Sequence, residues 1–331
     1  MKLMKAVVLD KPCTAAELAV SLVPVPKVKA GWVLVKIRAF GINRAEIYTR
    51  QGFSPDVRLP RIIGIECVGE VADPSDSGLQ KGQKVVSLMR GMGRQFDGSY
   101  AEYCLIPADQ VYPVQTDLDW ATFAAVPETY YTAYGSLFYS LQIEAGKTIL
   151  IRGGTSAAGL AAVRLAAAHG LKVYATSRRA EGLDKLRRLG ATAVVDEGNL
   201  AAVLPEKMDY VLELVGAGSL KDSLQCVGRG GKVCFTGILS GWIVPDFYPI
   251  NDIPSSAYLT AFHSDHADAG QIQAMFEFIR RHGIAVEPPA VFALDDIAQA
   301  HALMESNQAQ GKIVVMPSET APSEKTEGGD D

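Results

Sequence analysis

The sequence predicts an α/β fold in which a doubly wound parallel Rossmann sheet is joined to a second, β-rich domain. Three observations lead to this prediction. The first 110 or so residues consist of short strand patterns with dense turn signals, strand and helix patterns alternate after about residue 120, and a glycine-rich turn joins a strand to a helix at 153–159. The length of 331 residues suits two domains better than one.

Short strands dominate the first part of the chain. Segments 32–38, 67–71 and 84–88 combine β-branched residues with alternating polarity. Glycine and proline recur between them, which is typical of turns. Many short strands with close turns indicate a barrel-like β domain.

The second part of the chain alternates strands and helices. We predict strands over 148–151, 172–176, 193–196, 209–214 and 232–236, and helices over 156–169, 181–189 and 220–226. Because these strands are almost continuously apolar, they indicate a parallel sheet covered by helices on both faces. A strand at 258–262, an amphipathic helix at 272–280 and a last strand at 312–316 follow, and the polar, acidic residues 317–331 are predicted to be disordered.

The bulk composition argues against several classes of protein. The formal net charge of −5 disfavours a nucleic-acid partner or an anionic membrane, since both favour a basic face. No stretch of about 18 apolar residues lacks a charge, so we expect no transmembrane helix. Asp10 and Lys11 interrupt the first apolar run, so we expect no signal peptide. The five cysteines are scattered, without a CxxC pair, which suits reduced thiols. We therefore expect a soluble cytoplasmic protein.

The glycine-rich turn is the strongest single feature. Its small residues let the backbone approach a diphosphate, whose charge the free N–H groups at the helix start stabilise. Ser156 stands at the middle glycine of a GxGxxG pattern, and its hydroxyl is able to donate to phosphate. A tight turn without a ligand is the alternative, but the βαβ context favours a dinucleotide. The predicted cofactor-binding residues of this turn are Gly153, Gly154, Thr155, Ser156, Ala157, Ala158 and Gly159.

The end of the second strand of this unit indicates which dinucleotide binds. A NAD-preferring site carries a carboxylate there, whereas this chain has Thr176 and Ser177 followed by Arg178 and Arg179. Hydroxyl and guanidinium groups suit a 2′-phosphate, which arginine holds with parallel hydrogen bonds. We predict NADPH as the cofactor, with these four residues around its adenosine phosphate. The alternative is that the arginines only solvate a loop, and the nearby Glu181 is a counter-signal.

Several motifs together carry a family resemblance over nearly the whole chain. In this order and spacing they resemble the medium-chain dehydrogenase/reductases, in the zinc-independent quinone oxidoreductase (zeta-crystallin-like) branch. Besides the glycine turn, the motifs are GINRAEIYTRQG (41–52), GIECVGEV (64–71), DGSYAEY (97–103), PETYYTAYGSL (127–137), GKVCFTG (231–237) and GKIVV (311–315).

The resemblance implies a domain arrangement. Residues 1–122 and 257–316 are expected to form a GroES-like catalytic domain, with a Rossmann NADPH-binding domain at 123–256 inserted between them and an acidic tail at 317–331. It also implies a cleft between the domains for a small-molecule substrate, and a homodimer formed through the Rossmann sheets.

The zinc ligands of related dehydrogenases are missing from this chain. Zinc alcohol dehydrogenases use a Cys, a His and a further Cys or acidic side chain, so three or more ligands must converge. At the first two places this chain has Asn43 and Ile65, and Glu66 alone cannot hold zinc; the first 168 residues contain no histidine. We therefore predict no metal. His263 and His266 have metal-compatible spacing, but an ordinary polar loop is the favoured interpretation.

Without a metal as Lewis acid, the substrates that fit are those that accept hydride readily, namely quinones and alkenes conjugated to a carbonyl. By the resemblance, Asn43 and Tyr48 lie at the cleft as the catalytic donors to the substrate oxygen. No proton donor other than Tyr48 or water is identified. The resemblance further implies cofactor contacts at Thr129, Gly237, Ile238 and Lys312.

Several alternatives stay open. Core packing is the favoured interpretation of Tyr130 and Tyr131, an exposed lysine is the alternative for Lys312, and Arg50 either steers the diphosphate or faces water. Two other functions compete with the reductase: an enoyl reductase acting on carrier-bound acyl chains, and a non-catalytic, crystallin-like NADPH-binding protein.

Overall fold

The computed structural model describes residues 2–317 and confirms the predicted fold class. The tail predicted to be disordered lies, beyond residue 317, outside the described residues. The strands are β1 (Leu3–Leu9), β2 (Val20–Pro24), β3 (Trp32–Gly41), β4 (Arg61–Ile62), β5 (Glu66–Asp73), β6 (Lys84–Leu88), β7 (Tyr103–Pro107), β8 (Tyr112–Pro113), β9 (Thr148–Arg152), β10 (Lys172–Ser177), β11 (Thr192–Val195), β12 (Met208–Glu213), β13 (Val227–Phe235), β14 (Tyr258–Ala261), β15 (Ala290–Ala293) and β16 (Ile313–Met316).

The helices lie mainly between the later strands. They are α1 (Arg44–Arg50), α2 (Trp120–Ala124), α3 (Pro127–Tyr134), α4 (Ala157–Ala168), α5 (Ala180–Arg188), α6 (Leu200–Val203), α7 (Leu220–Gln225), α8 (Pro249–Asp252), α9 (Ala269–Arg281) and α10 (Ile297–Glu305). A π-helical segment, Gly135–Leu141, continues α3. No helix within residues 2–317 is long and apolar enough to span a membrane.

Six strands form the parallel sheet, in the order β11–β10–β9–β12–β13–β14. Their side chains alternate between two cores. Ile149 and Ile151 pack in the core that contains residues of α3, α4 and α9, whereas Leu150 and Val211 pack in the core on the other face, with residues of α6 and α7. Because helices cover both faces, each strand is apolar on both sides, which is why its sequence reads as a continuous apolar run.

The β-rich domain contains two sheets and its own core. A seven-stranded sheet has the order β15–β16–β3–β5–β6–β8, with β7 paired to β3, and a smaller sheet has the order β2–β1–β4. The last strand, β16, pairs antiparallel with β3, where Val314 lies opposite Gly41. This strand, the last of the described residues, therefore returns to the domain that the N-terminal part begins. The sequence analysis did not predict β15 or α10, which complete this side of the domain.

The parallel sheet extends further along the chain than predicted. The sequence analysis assigned residues from 257 onward to the β-rich domain, but β14 pairs in parallel with β13, where Tyr258 lies opposite Lys232. The helix that follows, α9, packs against α3. Backbone pairing determines that β14 belongs to the parallel sheet, because β14 provides hydrogen-bond partners for the backbone groups along one edge of β13. The first strand of the β-rich sheet after this region is β15.

Candidate functional site

The glycine-rich turn has the geometry of a phosphate-binding loop. Gly153 adopts φ +82°, a conformation that favours glycine. A Cβ on Gly159 would lie 2.3 Å from the carbonyl oxygen of Gly153, and a Cβ on Gly154 would lie 3.0 Å from the Cβ of Ala175. The three glycines therefore let α4 begin directly against the ends of β9 and β10.

Ser156 closes this turn as the N-cap of α4. Its hydroxyl donates to the carbonyl of Gly153 (2.8 Å) and accepts from the amide of Gly159 (3.0 Å). The single hydroxyl hydrogen is used within the turn, which differs from the predicted donation to a phosphate. Ser156 shapes the anion site through the backbone instead.

The start of α4 presents free backbone donors. Within residues 2–317, the amides of Thr155, Ala157 and Ala158 have no hydrogen-bond acceptor, and all three residues are half-buried. The positive end of a 12-residue helix dipole lies at the same point. Donors, dipole and lack of bulky side chains together fit the diphosphate of a dinucleotide.

The hydroxyls at the end of β10 are directed inward. Thr176 is buried and its Oγ1 accepts from the amide of Gly153 (3.0 Å), while the buried Ser177 donates to the carbonyl of Arg179 (2.7 Å). The side chains of Arg178 and Arg179 are exposed. Of the four residues predicted around an adenosine phosphate, the two hydroxyl residues therefore hold the loop, and the two arginines remain accessible.

Gly237 and Ile238 lie at the same edge of the sheet, directly after β13. A Cβ on Gly237 would lie 1.9 Å from the carbonyl oxygen of Leu214, and the Gly237 amide donates to the carbonyl of Glu213 (2.9 Å). The segments that follow β12 and β13 are therefore in close contact. Since all these strands are parallel, their carboxyl ends bring the glycine turn, the end of β10 and Gly237 to one edge, where such sheets bind ligands.

A buried carboxylate links the β-rich domain to α3. Glu66 is fully buried at the start of β5 and accepts hydrogen bonds from Nδ2 of Asn43 (2.8 Å) and from the amide of Glu128 (2.9 Å). The ammonium of Lys312, whose side chain is only 5% exposed, forms an ion pair with the same carboxylate. We call these four residues the Glu66 network. It joins the start of α1, the start of α3 and the residue before β16.

The network changes the interpretation of two predicted residues. Lys312 also donates to Oδ1 of Asn43, so it is buried and paired, and the alternative of an exposed lysine is wrong. Both Nδ2 hydrogens of Asn43 are directed at carboxylates, those of Glu66 and, at 3.4 Å, Glu46. Asn43 therefore keeps no spare N–H for a substrate oxygen in this arrangement, which argues against its predicted role as a donor. The corresponding role of Tyr48 stays a prediction.

Gly41, at the end of β3, makes room for this lysine. A Cβ at this position would lie 2.1 Å from Cε of Lys312 and 2.6 Å from Oε1 of Glu66. Any larger residue would have to displace the lysine side chain or the carboxylate. The glycine that begins the GINRAEIYTRQG motif is thus required by the ion pair next to it.

Glu46 is a second buried acid at the start of α1. One of its oxygens accepts from the amide of Asn43 (2.9 Å) and the other from the amide of Ile65 (3.0 Å). Burial raises the pKa of Glu46 to about 7, although the Ile65 amide and Lys312 act in the opposite direction. The same helix carries Tyr48, which is half-buried. Glu46 therefore ties the helix that carries Tyr48 to the turn before β5.

The start of α3 carries Thr129, which is buried in the first helical turn directly after Glu128. The structure buries Tyr130 and Tyr131 as well, which confirms core packing as the main role of these two rings. The hydroxyl of Tyr131 donates to Oε1 of Gln271 on α9 (2.7 Å).

Two further candidates are structural or solvent-facing. Arg50 is 1% exposed, donates to the carbonyl of Cys13 (3.0 Å) and pairs with Glu305 (2.5 Å), so it neither faces water nor reaches a diphosphate. His263 and His266 are both exposed. Within residues 2–317, no group of three or more His, Cys, Asp or Glu side chains is arranged to hold a metal ion.

Sequence reasoning missed Glu128 and the role of Glu46. The second was readable, because Asn43 followed three residues later by Glu46 is a capping-box pattern. Glu128 follows Pro127 in the first turn of a helix, where an acid is common for its interaction with the helix dipole. That position gives no signal of a site, because the groups around Glu128 come from distant parts of the chain.

Comparisons with known proteins agree with this architecture. The chain matches the family described as alcohol dehydrogenase GroES-like domain over residues 29–116, and the family described as zinc-binding dehydrogenase over residues 189–315. A mouse quinone oxidoreductase is 31% identical over 228 residues, which cover 65% of this chain and 67% of the mouse protein. A human quinone oxidoreductase is 28% identical over 306 residues, covering 89% and 91%. A mycobacterial structure complexed with NADPH is 25% identical with a TM-score of 0.84, and the match covers 95% of this chain and all of the other.

The fold and the phosphate-binding turn first define a class, the two-domain oxidoreductases that bind a pyridine nucleotide on a Rossmann sheet. The family follows from the comparisons. The chain belongs to the medium-chain dehydrogenase/reductase superfamily, in its quinone oxidoreductase branch. This confirms the resemblance that the sequence motifs carried.

The ion pair between Glu66 and Lys312 predicts that removing one charge lowers the free energy of unfolding much more than removing both. Replacing Lys312 by Met leaves the Glu66 charge buried without its counter-ion, and we expect the free energy of unfolding to fall by about 3–5 kcal/mol. Lys312→Met combined with Glu66→Gln removes both charges, and should restore a large part of that loss. Urea denaturation measures both effects.

The exposed pair of Arg187 and Asp184 on α5 provides the control. Arg187→Met should cost less than about 1 kcal/mol, because exposed ion pairs contribute little. A Lys312→Met variant as stable as Arg187→Met would contradict the account of the Glu66 network.

Proposed function

We propose that this protein is an NADPH-dependent oxidoreductase that transfers hydride, without a metal ion, to a quinone or an α,β-unsaturated carbonyl compound. The observation that carries the proposal is the start of α4, where three half-buried amides meet the positive end of the helix dipole. Such a site favours a diphosphate. Because of the family to which the chain belongs, we infer that the ligand carrying this diphosphate is a pyridine nucleotide.

Each group of residues has a stated task in this proposal. The amides of residues 155, 157 and 158 bind the diphosphate, and Arg178 and Arg179 bind the 2′-phosphate. Thr129, Gly237 and Ile238 line the nicotinamide, and Lys312, paired with Glu66, lies beside it. When bound, the reduced nicotinamide supplies the hydride.

Tyr48 orients and polarises the substrate. Its hydroxyl donates a hydrogen bond to the substrate oxygen, where negative charge collects as hydride arrives at the conjugated carbon. One donor of this kind contributes about 3 kcal/mol of transition-state stabilisation. Hydride addition to a conjugated system gives a delocalised enolate or quinol anion, which is more stable than the localised alkoxide formed from a simple ketone. A hydrogen-bond donor to the oxygen is therefore sufficient without a Lewis acid. This is why quinones and enones fit better than simple alcohols and ketones.

A substrate panel tests the function. Purified protein mixed with NADPH should consume it in the presence of quinones or enones, and should leave matched saturated ketones unreduced, as followed at the absorbance band of the reduced nicotinamide. Consumption only with carrier-bound enoyl chains would identify an enoyl reductase. Binding of NADPH without turnover of any acceptor would identify a binding protein and refute the proposal.

The cofactor preference predicts a selective effect at the end of β10. Arg178→Ala together with Arg179→Ala removes the cations available to a 2′-phosphate, so the KM for NADPH should rise about 10-fold or more, while the KM for NADH should stay nearly unchanged. Steady-state kinetics with both cofactors measures this. Arg187→Ala on α5 is the control, and an equal change of both KM values in the double variant would refute the preference for NADPH.

We also propose that the protein is a homodimer joined through its Rossmann sheets. Among residues 2–317, strand β14 is an edge of the parallel sheet, and an edge strand is able to pair with a strand of a second chain. Apolar side chains are exposed on β14 and the segment before it, an arrangement that favours a protein partner. These side chains are Trp242, Ile243, Tyr248, Ile250 and Tyr258.

The five cysteines are all unpaired, which supports a reducing compartment such as the cytoplasm.

A single charge in this surface should disrupt the dimer. Ile250 is 91% exposed in one chain, and Ile250→Asp should shift the mass measured by size-exclusion chromatography with light scattering from dimer to monomer. Leu22→Asp, at an exposed apolar residue of β2, is the control and should leave the dimer intact. A monomeric wild-type protein at micromolar concentration would contradict the proposal.

A further inference from the structure

The predicted catalytic residues include no acid, yet one lies at the start of α3. Glu128 is partly exposed, precedes Thr129, and is joined by its backbone amide to Glu66 (2.9 Å). Through Glu66 it is connected to Asn43 and Lys312. Glu128 therefore lies where the β-rich domain meets the Rossmann domain, beside the residues that the proposed function gives to the nicotinamide.

The two oxygens of the Glu128 carboxyl group have different surroundings. Oε1 accepts hydrogen bonds from the hydroxyls of Thr132 (2.6 Å) and Ser264 (3.1 Å). Oε2 has no hydrogen-bond partner within residues 2–317. Because Oε1 is engaged as an acceptor, a proton carried by this group belongs on Oε2. The carboxyl group is thus held by two hydroxyls with its other oxygen left for a ligand.

We propose that Glu128 is the catalytic proton donor, delivering a proton from Oε2 to the substrate as hydride arrives at the conjugated carbon. The inference rests on the proposed function, which supplies NADPH as the reductant. Hydride forms a new C–H bond, the π electrons of the acceptor move to its oxygen, and the Oε2–H bond of Glu128 breaks to protonate the resulting anion. The bonding pair stays on the Glu128 carboxylate, which takes a proton from water before the next turnover.

The surroundings of Glu128 shift its carboxyl group towards the protonated form. Burial is the largest effect and raises the pKa of Glu128 above its usual range; the negative charge of Glu66 acts in the same direction, and Lys312 opposes it. The hydroxyls of Thr132 and Ser264 also lower this pKa. Acids whose pKa is raised towards the working pH are suited to general acid catalysis.

The other elements around α3 direct their polar groups elsewhere. Burial raises the pKa of Tyr130, and the positive charge of Arg164, on α4, acts in the opposite direction. Gln271, on α9, accepts a hydrogen bond from the hydroxyl of Tyr131. In the turn that supplies Ser264, the neighbouring Asp265 and His266 are exposed to solvent. Within residues 2–317, the charged groups that act on Glu128 are therefore Glu66 and Lys312.

Glu128→Gln tests the proposal, because it keeps the shape of the side chain and removes the acid. We expect kcat with a quinone or enone to fall by about 100-fold or more, while NADPH affinity, measured by fluorescence, stays unchanged. In the wild-type protein, kcat should decrease as pH rises through the pKa of Glu128, and this decrease should be absent in Glu128→Gln. Glu128→Asp, which retains a carboxyl group, should retain the decrease.

Two further variants separate proton donation from a structural role. Thr132→Val removes a hydrogen bond that lowers the pKa of Glu128, so the alkaline decrease of kcat should move to higher pH. Tyr48→Phe should lower kcat but keep the alkaline decrease, because Tyr48 only donates a hydrogen bond to oxygen. Infrared titration of the NADPH-bound protein should show a protonated-carboxyl component that is lost as pH rises through the same midpoint as the decrease of kcat, and Glu128→Gln should lack this component. Glu46 contributes a separate component that both proteins retain.

The outcomes distinguish this inference from the function on which it rests. If the wild type reduces quinones or enones and Glu128→Gln is equally active with the same pH profile, Glu128 is not the donor and the proposed function stands. An unchanged pH profile in Thr132→Val, or identical protonated-carboxyl titrations of the wild type and Glu128→Gln, would also overturn the inference. If the wild type reduces no acceptor, the proposed function itself fails.

Discussion

The buried ion pair between Glu66 and Lys312 is the interaction on which the candidate site depends. Removing two charges from water is costly, and the cost is offset only when both are fully partnered. Glu66 meets this condition by accepting from Asn43 and from the amide of Glu128, besides Lys312. Because Lys312 directly precedes β16, the last strand of the described chain, the site exists only once the two ends of the β-rich domain have come together.

Three glutamates lie close together in and beside the Glu66 network. Glu46, Glu66 and Glu128 lie near a single lysine, so the positive charge is insufficient for three carboxylates. Glu66 is the partner of Lys312, and burial raises the pKa of both Glu46 and Glu128. Their surroundings differ, however: backbone amides hold both oxygens of Glu46, whereas one oxygen of Glu128 is left open. This difference separates a helix cap from a candidate acid.

On the Rossmann side, the site depends on close backbone contacts more than on charge. Gly159 and Gly237 lie so near to neighbouring carbonyl groups that neither position accepts a Cβ. The hydroxyls of Ser156 and Thr176 are used to hold the turn together. Side chains thus fix the path of the backbone, and the backbone amides at the start of α4 are the groups that remain for an anion.

The sequence by itself determined the Rossmann unit, since apolar strands, a glycine turn and a capped helix are local patterns that need no distant contact. It also determined the family, because several motifs recur in a given order. Only the tertiary structure decided that β14 joins the parallel sheet, that Lys312 is buried and that the Asn43 amide faces carboxylates. Each of these depends on residues far apart in the chain, as in the pairing of position 66 with position 312, and local patterns carry no information about which distant groups will meet.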